Sequence, residues 1–422
     1  MKFGGHTRRS LTVRIVIGML AGLALGLILN AVGVRGLVGD YLVEGLFYVV
    51  GAIFLASLKL LVVPLVFVSL VCGTAALEDV SRLGRIGGKT LFLYLFTTAV
   101  AITIALVVAI ALKPGAGFDL ETDASFRIEV PPSLADTLIN LFPSNPVQAM
   151  AEGNMLQIIV FAGLFGLAMT MAGAPGKRIL TFFSDVNVVI MKLVLLLMEF
   201  APYGVFCLIV RVFALQGLDA IKPLALYFSS VLGVLVLQAG ITYPLLLRVG
   251  TGLDPLTFFR NVRAPVALAF STASSNATLP VTLETAEHRL GVDNSIASFT
   301  VPLGATINMD GTAIMQGVAT AFIAQAYGIE IGFTGYLMVV VTATLASIGT
   351  AGVPGVGLIM LAMVLRQVNL PVEGIALVIG VDRLLDMVRT AVNVTGDMMV
   401  SCIVAKSEGR LSEEVFRAET VL

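Results

Sequence analysis

One stretch near the C-terminus, residues 382–397, carries most of the side chains in this sequence that can do chemistry. It places carboxylate, guanidinium, hydroxyl and amide groups inside an apolar segment between Pro371 and Ala405. At about 100° per residue, six polar side chains fall on one helix face roughly 100° wide. They are Asp382, Asp386, Arg389, Thr390, Asn393 and Asp397. We call this set the polar stripe; groups of these types can bind ions and a small zwitterion.

The composition shows what surrounds the polar stripe. Of 422 residues, 58% are hydrophobic and only 13% are charged, and the mean hydropathy is +0.99. These values predict a polytopic α-helical membrane protein. Charge inside a membrane is costly, so the stripe is expected to be a functional site. The net charge of −1 offers no basic surface for nucleic acid, and we predict no nucleic-acid partner.

Several helices must position the stripe within the lipid bilayer. A spanning helix needs about 20 mostly apolar residues. Six segments pass this test: 11–32, 43–76, 89–112, 156–174, 184–214 and 222–249. Residues 113–155 are polar and predict an extracytoplasmic loop. Basic residues in the turns and near both ends predict that the two termini are cytoplasmic.

After residue 255, small polar residues interrupt the apolar runs at their centres. The segments 258–288 and 333–367, with AFSTASSNATLP and ASIGTAGVPGVG at their middles, are predicted to be re-entrant helical hairpins. A helix over 294–327, interrupted at NMDGT, lies between them, and the helix 372–405 follows. We therefore predict an all-α polytopic membrane protein with eight transmembrane helices, two re-entrant hairpins and inverted repeats, as in many transporters.

The buried charges have a structural and a functional interpretation. Asp386 can pair with Arg389 at i,i+3, so that nothing binds. However, the carboxylates of the stripe outnumber its arginines, and the excess charge calls for a cation, either sodium or a proton. Asp310 has the same two interpretations, structural hydrogen bonding or binding of a cation. The serines of the first hairpin either pack helices or leave backbone N–H groups for a carboxylate. With an arginine for a second carboxylate and Asp386 for an ammonium, the site suits an acidic amino acid.

Four motifs make the chain resemble the dicarboxylate/amino acid:cation symporter family. They are SSNATLP at 274–280, GATINMDGT at 304–312, ASIGTAGVPG at 346–355 and DMVRTAVNVTGD at 386–397. The resemblance implies a homotrimer in a prokaryotic inner membrane. It implies scaffold helices in residues 1–87 and 156–220, a transport domain formed by 88–112 and 221–406 that moves like an elevator, and a cytoplasmic tail over 407–422.

The resemblance also implies roles for residues at matching positions. Asp386 would hold the substrate's amino group and Arg389 its side-chain carboxylate. The implied substrate-binding residues are Ser274, Ser275, Thr312, Val353, Gly355, Asp386, Arg389, Thr390 and Asn393. The implied sodium ligands are Gly304, Asn308, Asn393 and Asp397 at one site, Thr306, Ser347, Ile348 and Thr350 at a second, and Tyr94, Thr97, Thr98, Asn308 and Asp310 at a third.

Comparison with the branches of the family narrows the range of expected substrates. Ala273 and Met387 stand where family branches carry a second arginine. The C4-dicarboxylate branch tends to lack aspartates corresponding to Asp386 and Asp397, and the neutral amino acid branch lacks the arginine corresponding to Arg389. The resemblance therefore predicts a sodium-coupled importer of aspartate or glutamate.

Other functions stay open at this stage. The alternatives are proton coupling, a C4-dicarboxylate or neutral amino acid substrate, or an ion channel. An enzyme is not expected, because the predicted spanning segments contain no histidine and the sequence has no GxSxG motif. Arg383 is not expected to replace the family's second arginine, because it lies about 60° from Asp386 on the side opposite Arg389. Asp382 and Arg383 therefore receive no role.

Overall fold

The computed structural model describes residues 11–34, 38–75, 83–116, 118, 142–348, 352 and 354–418. The described residues are helical almost throughout, and apart from two isolated bridges they contain no strand. Five helical stretches are long and apolar enough to cross a membrane. These are Val13–Val32, Val38–Cys72, Arg85–Leu112, Ala174–Met198 and Ile221–Thr251. The all-α class predicted from the sequence is therefore confirmed.

The described residues of the first half of the chain form seven helices. They are α1 (Leu11–Val32), α2 (Tyr48–Ala75), which a π-helical segment (Val38–Phe47) precedes, α3 (Leu83–Leu112), α4 (Pro146–Glu152), α5 (Met155–Met171), α6 (Ala174–Met198) and α7 (Ala201–Gln216).

Ten further helices follow a short 3₁₀ turn (Gly217–Ala220). They are α8 (Ile221–Leu237), α9 (Tyr243–Thr251), α10 (Pro255–Thr272), α11 (Ser275–His288), α12 (Asn294–Ile307), α13 (Asp310–Ala326), α14 (Gly332–Ser347), α15 (Val356–Gln367), α16 (Ile375–Ser407) and α17 (Glu413–Arg417). A π-helical turn (Gln238–Thr242) joins α8 to α9, and a 3₁₀ turn (Val372–Gly374) precedes α16.

One sequence expectation about the helices was wrong. The segment 184–214 is not one helix, because α6 ends at Met198 and α7 begins at Ala201. Pro202 lies in the first turn of α7, where its missing N–H costs nothing, whereas inside a continuous helix it would remove a hydrogen bond.

The predicted extracytoplasmic loop 113–155 contains one short helix in its described part, α4. The Asn145 side chain caps the N-terminus of this helix.

The helices pack in two groups. In the first, α1 lies along α7, and α2 contacts α5, α6 and α7. In the second, α3 packs on α13, α14 and α8, while α16 runs through the middle and contacts α9, α10, α12 and α13. The groups meet where α7 contacts α16 and α2 contacts α15. The polar stripe lies on α16, at the centre of the second group.

The segment Arg410–Arg417 follows α16, and we call it the C-terminal clamp. It connects the end of α16 to α10 and to the turn that follows α11. Ser412 N donates to Gly291 O (2.8 Å), and Asp293 N donates to Arg410 O (3.1 Å). From α10, Asn261 Nδ2 donates to Phe416 O (3.0 Å), and the Phe416 side chain is buried. The outer ends of both helices are thereby fixed to the end of α16.

A charge cluster joins the same end of α16 to α3. Glu408 accepts hydrogen bonds from Lys89 (2.6 Å) and from Arg85, and Lys89 also reaches the Ser407 hydroxyl (3.0 Å). The hydrogen bonds from Lys89 and Arg85 lower the pKa of Glu408 below its ordinary value. The ionised carboxylate is therefore favoured in the folded protein.

The Glu408 cluster predicts a pH-dependent contribution to stability. The pKa of Glu408 is lower in the folded protein than in the unfolded chain. The ionised Glu408 carboxylate therefore stabilises the fold at pH values above the unfolded pKa of about 4.3, and this stabilisation is lost as the pH falls through the pKa of the folded state. Glu408→Gln should lower the thermal unfolding midpoint of the purified protein at pH 7, and the difference from wild type should shrink below pH 4. The exposed Glu414→Gln is the matched control; equal midpoints for Glu408→Gln and wild type at pH 7 would contradict the assignment.

Candidate functional site

A break between α12 and α13 brings a second set of polar groups to the stripe. The helix stops because Asn308 adopts an extended conformation (φ −83°, ψ 93°), and α13 starts again at Asp310. Gly311 allows α13 to approach α16 closely, since a Cβ there would lie 2.6 Å from the Arg389 carbonyl oxygen. Gly311 N donates to Asn393 Oδ1 (2.7 Å), which fixes the break against the stripe.

Asp397 and Asn308 form a buried cluster rich in oxygen atoms. Asn308 Nδ2 donates both to Asp397 Oδ1 (2.8 Å) and to the Asn393 carbonyl (3.0 Å). Asn308 Oδ1 is buried and has no hydrogen-bond partner among the described residues. A Cβ on Gly304 would collide with Asp397 Oδ1 and with the Tyr94 hydroxyl, so the glycine lets these two oxygens lie close to the backbone of α12. Oxygen atoms of these types suit a hard cation such as sodium.

Asp310 is completely buried and accepts four hydrogen bonds. Thr98 (2.7 Å) and Thr97 (3.2 Å) donate to Oδ1, whereas Tyr243 (2.8 Å) and Gln238 (3.0 Å) donate to Oδ2. Four hydrogen bonds offset much of the cost of burying the carboxylate. The structure thus brings Thr97 and Thr98 to Asp310, as expected for the third set of residues. Tyr94 instead donates to the Thr300 carbonyl (2.9 Å) and lies beside Gly304.

Sequence reasoning missed Gln238 and Tyr243. Gln238 is the first residue of the π-helical turn between α8 and α9, and Tyr243 is the first residue of α9, so four residues lie between them. A glutamine within an otherwise apolar spanning segment was the one available signal. The tyrosine gave none, because its ring suits a membrane helix whether or not its hydroxyl has a partner.

Arg389 is fully buried between two carboxylates of its own helix. Its Nη2 donates to Asp386 Oδ1 (2.8 Å), and its Nη1 contacts Asp382 Oδ1 at 2.9 Å without the alignment of a hydrogen bond. The pairing of Asp386 with Arg389, foreseen as the structural interpretation, is therefore present. Arg389 Nε and Nη1 are both buried and have no hydrogen-bond acceptor among the described residues, so the guanidinium keeps donors for a further anion.

Arg383 also reaches Asp386, although helix geometry placed it to one side. Its Nη1 lies 3.2 Å from Asp386 Oδ2. Gly355 N, at the start of α15, donates to the same oxygen (3.3 Å). The four side chains of Asp382, Arg383, Asp386 and Arg389 balance in formal charge, whereas Asp397 lies further along α16 without an ion pair in the described part of the chain.

The tip between α10 and α11 touches the tip between α14 and α15. Ser274 Oγ and Asn276 N both donate to the Gly352 carbonyl, at 2.8 and 3.3 Å. Ser274 Oγ also caps α11 by accepting from Ala277 N (3.2 Å), and Ser275, the first residue of α11, is buried. Ala273 takes the left-handed conformation (φ 50°) that the turn requires. Thr350 and Val353 lie outside the described residues.

The remaining predicted residues lie around these groups. Thr390 donates to the Asp386 carbonyl (2.8 Å), and Asn393 Nδ2 and the Thr312 hydroxyl both approach Met309 Sδ. The hydroxyls of Thr306 and Ser347 donate to carbonyls of their own helices, those of Leu303 and Thr344. If these two residues bind a cation, their carbonyl oxygens are the available ligands. Ile348 directly follows α14.

Known proteins resemble this chain over most of its length. The "Proton/sodium-glutamate symport protein" of Geobacillus stearothermophilus is 34% identical over 407 residues, covering 93% of this chain and 94% of the relative. The "Proton/glutamate-aspartate symporter" of Escherichia coli K12 is 36% identical, with 96% and 94% covered. The bovine "Neutral amino acid transporter B(0)" is 35% identical, with 93% and 80% covered.

These relatives are all transporters, and the family prediction from the four motifs is confirmed. Overall identity does not separate the relatives named for acidic substrates from the one named for neutral amino acids, since both kinds lie at 34–36%. The family model "Sodium:dicarboxylate symporter family" matches residues 11–407. The chain therefore belongs to the sodium:dicarboxylate symporter family, in agreement with the helix break, the paired tips and the polar stripe on α16.

Proposed function

We propose that this chain is a secondary active symporter that imports L-aspartate and L-glutamate together with sodium. One observation carries the proposal. The helix α16 holds a fully buried arginine beside two aspartates and, two turns further on, an oxygen-rich cluster at Asp397. An anion site and a cation site on one rigid helix are what coupled transport of an acidic substrate needs.

The substrate is expected to enter this network by exchanging partners. Arg389, with its unpartnered Nε, turns toward the side-chain carboxylate of the substrate, and Asp386 accepts the ammonium. The N-terminus of α11, behind Ser274 and Ser275, favours the second carboxylate. The other proposed contacts are those implied by the resemblance: Thr312, Val353, Gly355, Thr390 and Asn393.

Sodium is the proposed co-transported cargo. The Asp397 carboxylate, the Asn393 carbonyl and the unpartnered Asn308 Oδ1 offer ligands for one ion, and Gly304 lets the Asp397 carboxylate lie close to the backbone of α12. Carbonyls near Thr306, Ser347, Ile348 and Thr350 form a proposed second site. Asp310 with Tyr94, Thr97, Thr98 and Asn308 forms a proposed third site, because hydroxyls that now donate to Asp310 can rotate and present their lone pairs to a cation.

Proton coupling is the second candidate. Two of the three relatives named above carry "proton" in their names, and one of these is named for both ions. Asp310 and Asp397 are buried carboxylates that can neutralise their charge by binding either a proton or sodium. The same two residues would serve either ion.

The packing of the helices supports the proposed transport movement. The first group (α1, α2 and α5–α7) corresponds to the proposed scaffold, and the second (α3 and α8–α16) to a transport domain that moves as an elevator. The proposed substrate and ion ligands that belong to the described residues lie in the second group. A homotrimer in a prokaryotic inner membrane, with both termini cytoplasmic, is part of the same proposal.

Uptake by reconstituted protein tests the function. Proteoliposomes should accumulate labelled L-aspartate and L-glutamate when sodium is higher outside, and unlabelled substrate should compete with saturation. Accumulation driven equally well by a proton gradient without sodium would reject sodium coupling in favour of the second candidate. Flux without saturation would instead indicate a channel.

Arg389→Cys should abolish recognition of the acidic side chain. Losing one partner of a buried charge pair costs about 3–5 kcal/mol, so the dissociation constant for aspartate should rise by about a hundredfold or more. Calorimetry in sodium buffer measures the effect. Arg366→Cys, at an exposed position near the end of α15, is the matched control and should bind like wild type. Unchanged aspartate affinity in Arg389→Cys would refute the role of this residue.

Asp397→Asn should weaken the sodium dependence of substrate binding. The substitution keeps the shape of the side chain but removes the charge that draws the cation, so the sodium concentration for half-maximal aspartate binding should rise by about tenfold or more. The exposed Glu330→Gln serves as a control for the loss of one acidic group. A sodium dependence equal to that of wild type would place the ion elsewhere.

A further inference from the structure

Arg383 is a buried charge for which the proposed transport steps give no role. It lines a narrow crevice between the two helix groups, where Phe54, Met198 and Val205 face Gly355 and Asp386. Only 9% of the residue is exposed. A guanidinium in such a place costs free energy unless it is paired, and Asp386 supplies an ion pair.

The two arginines hold different oxygens of Asp386. On a helix, Arg383 and Arg389 lie about 60° to either side of Asp386. Accordingly, Arg389 takes Oδ1 (2.8 Å), and Arg383 takes Oδ2 (3.2 Å). The second oxygen is also held by Gly355 N (3.3 Å), so the carboxylate is fixed from both sides.

These two contacts differ in what happens when substrate binds. Under the proposed function, Arg389 turns to the substrate and leaves Oδ1, and the ammonium arrives at that oxygen. Arg383 does not lie on the side of Arg389, and its partner Oδ2 is already shared with the backbone of α15. The Oδ2 contacts can therefore persist through the exchange.

We propose that Arg383 is a positioning residue for recognition of the amino group. By holding Oδ2, it sets the orientation of the Asp386 carboxylate and presents Oδ1 to the substrate's ammonium. It also keeps a positive charge beside Asp386 while Arg389 is engaged with the substrate. This inference rests on the proposed function, because it needs an amino acid in the site.

Binding measurements on charge variants of Arg383 test the inference. Calorimetry with L-aspartate and L-glutamate in sodium buffer compares wild type, Arg383→Gln and Arg383→Lys in the full-length protein. The dissociation constants should rise by about tenfold or more in Arg383→Gln, which loses the cation. In Arg383→Lys, which keeps a cation able to reach Oδ2, they should stay within about threefold of wild type. Arg366→Gln is the control for loss of an arginine outside the site.

The outcomes separate this inference from the function on which it rests. Unchanged or lower dissociation constants in Arg383→Gln would overturn the positioning role, and so would equal weakening in Arg383→Gln and Arg383→Lys, because shape rather than charge would then matter. If wild type binds neither amino acid, the proposed function fails and the inference fails with it. Arg383→Met, which keeps the aliphatic length against Phe54 and Val205, replaces Arg383→Gln if the latter does not fold.

Discussion

The structure depends on how charges are compensated in the interior of α16. Arg389 is fully buried, and its charge is tolerable because Asp382 and Asp386 lie within 3 Å of its guanidinium. The same aspartates would be intolerable without the arginines, since an isolated charge at this depth is far more costly than a paired one. Under the proposed function, these ion pairs exchange partners with a charged substrate at modest cost, because Asp386 and Arg389 each have a partner of opposite charge before the substrate arrives. A neutral buried network would have to acquire such partners when the substrate arrives.

The break between α12 and α13 has the complementary task. In a continuous helix, the backbone carbonyls would all be engaged in hydrogen bonds within the helix, and the Asn308 side chain would not be directed at the polar stripe. The break instead directs the Asn308 amide at Asp397 and the Asn393 carbonyl, and leaves one amide oxygen unpartnered among the described residues. Irregular backbone at this depth is acceptable because protein buries it on all sides. The proposed ion-binding cluster thus depends on the break between α12 and α13, whereas the proposed substrate-binding groups depend on the continuity of α16.

The C-terminal end of α16 is held by several contacts. The C-terminal clamp and the Glu408 cluster connect it to α3, α10 and α11 through backbone and charged contacts. By contrast, the described contacts between the two tips come together at the single carbonyl of Gly352.

The sequence by itself determined the features that depend on local periodicity and composition. The helical repeat alone placed Asp382, Asp386, Arg389 and Asp397 on one face, and the NMDGT motif marked the interrupted helix. The four motifs indicated the family. The sequence did not predict contacts between distant segments. Gln238 and Tyr243 donate hydrogen bonds to Asp310, from which they are separated by 72 and 67 positions in the sequence. The division of 184–214 into two helices was missed because apolar composition masked it. Only the tertiary structure decided that Gly355 N, at the start of another helix, shares Oδ2 of Asp386 with Arg383, because helix geometry gives the side on which each arginine lies but not what packs against it.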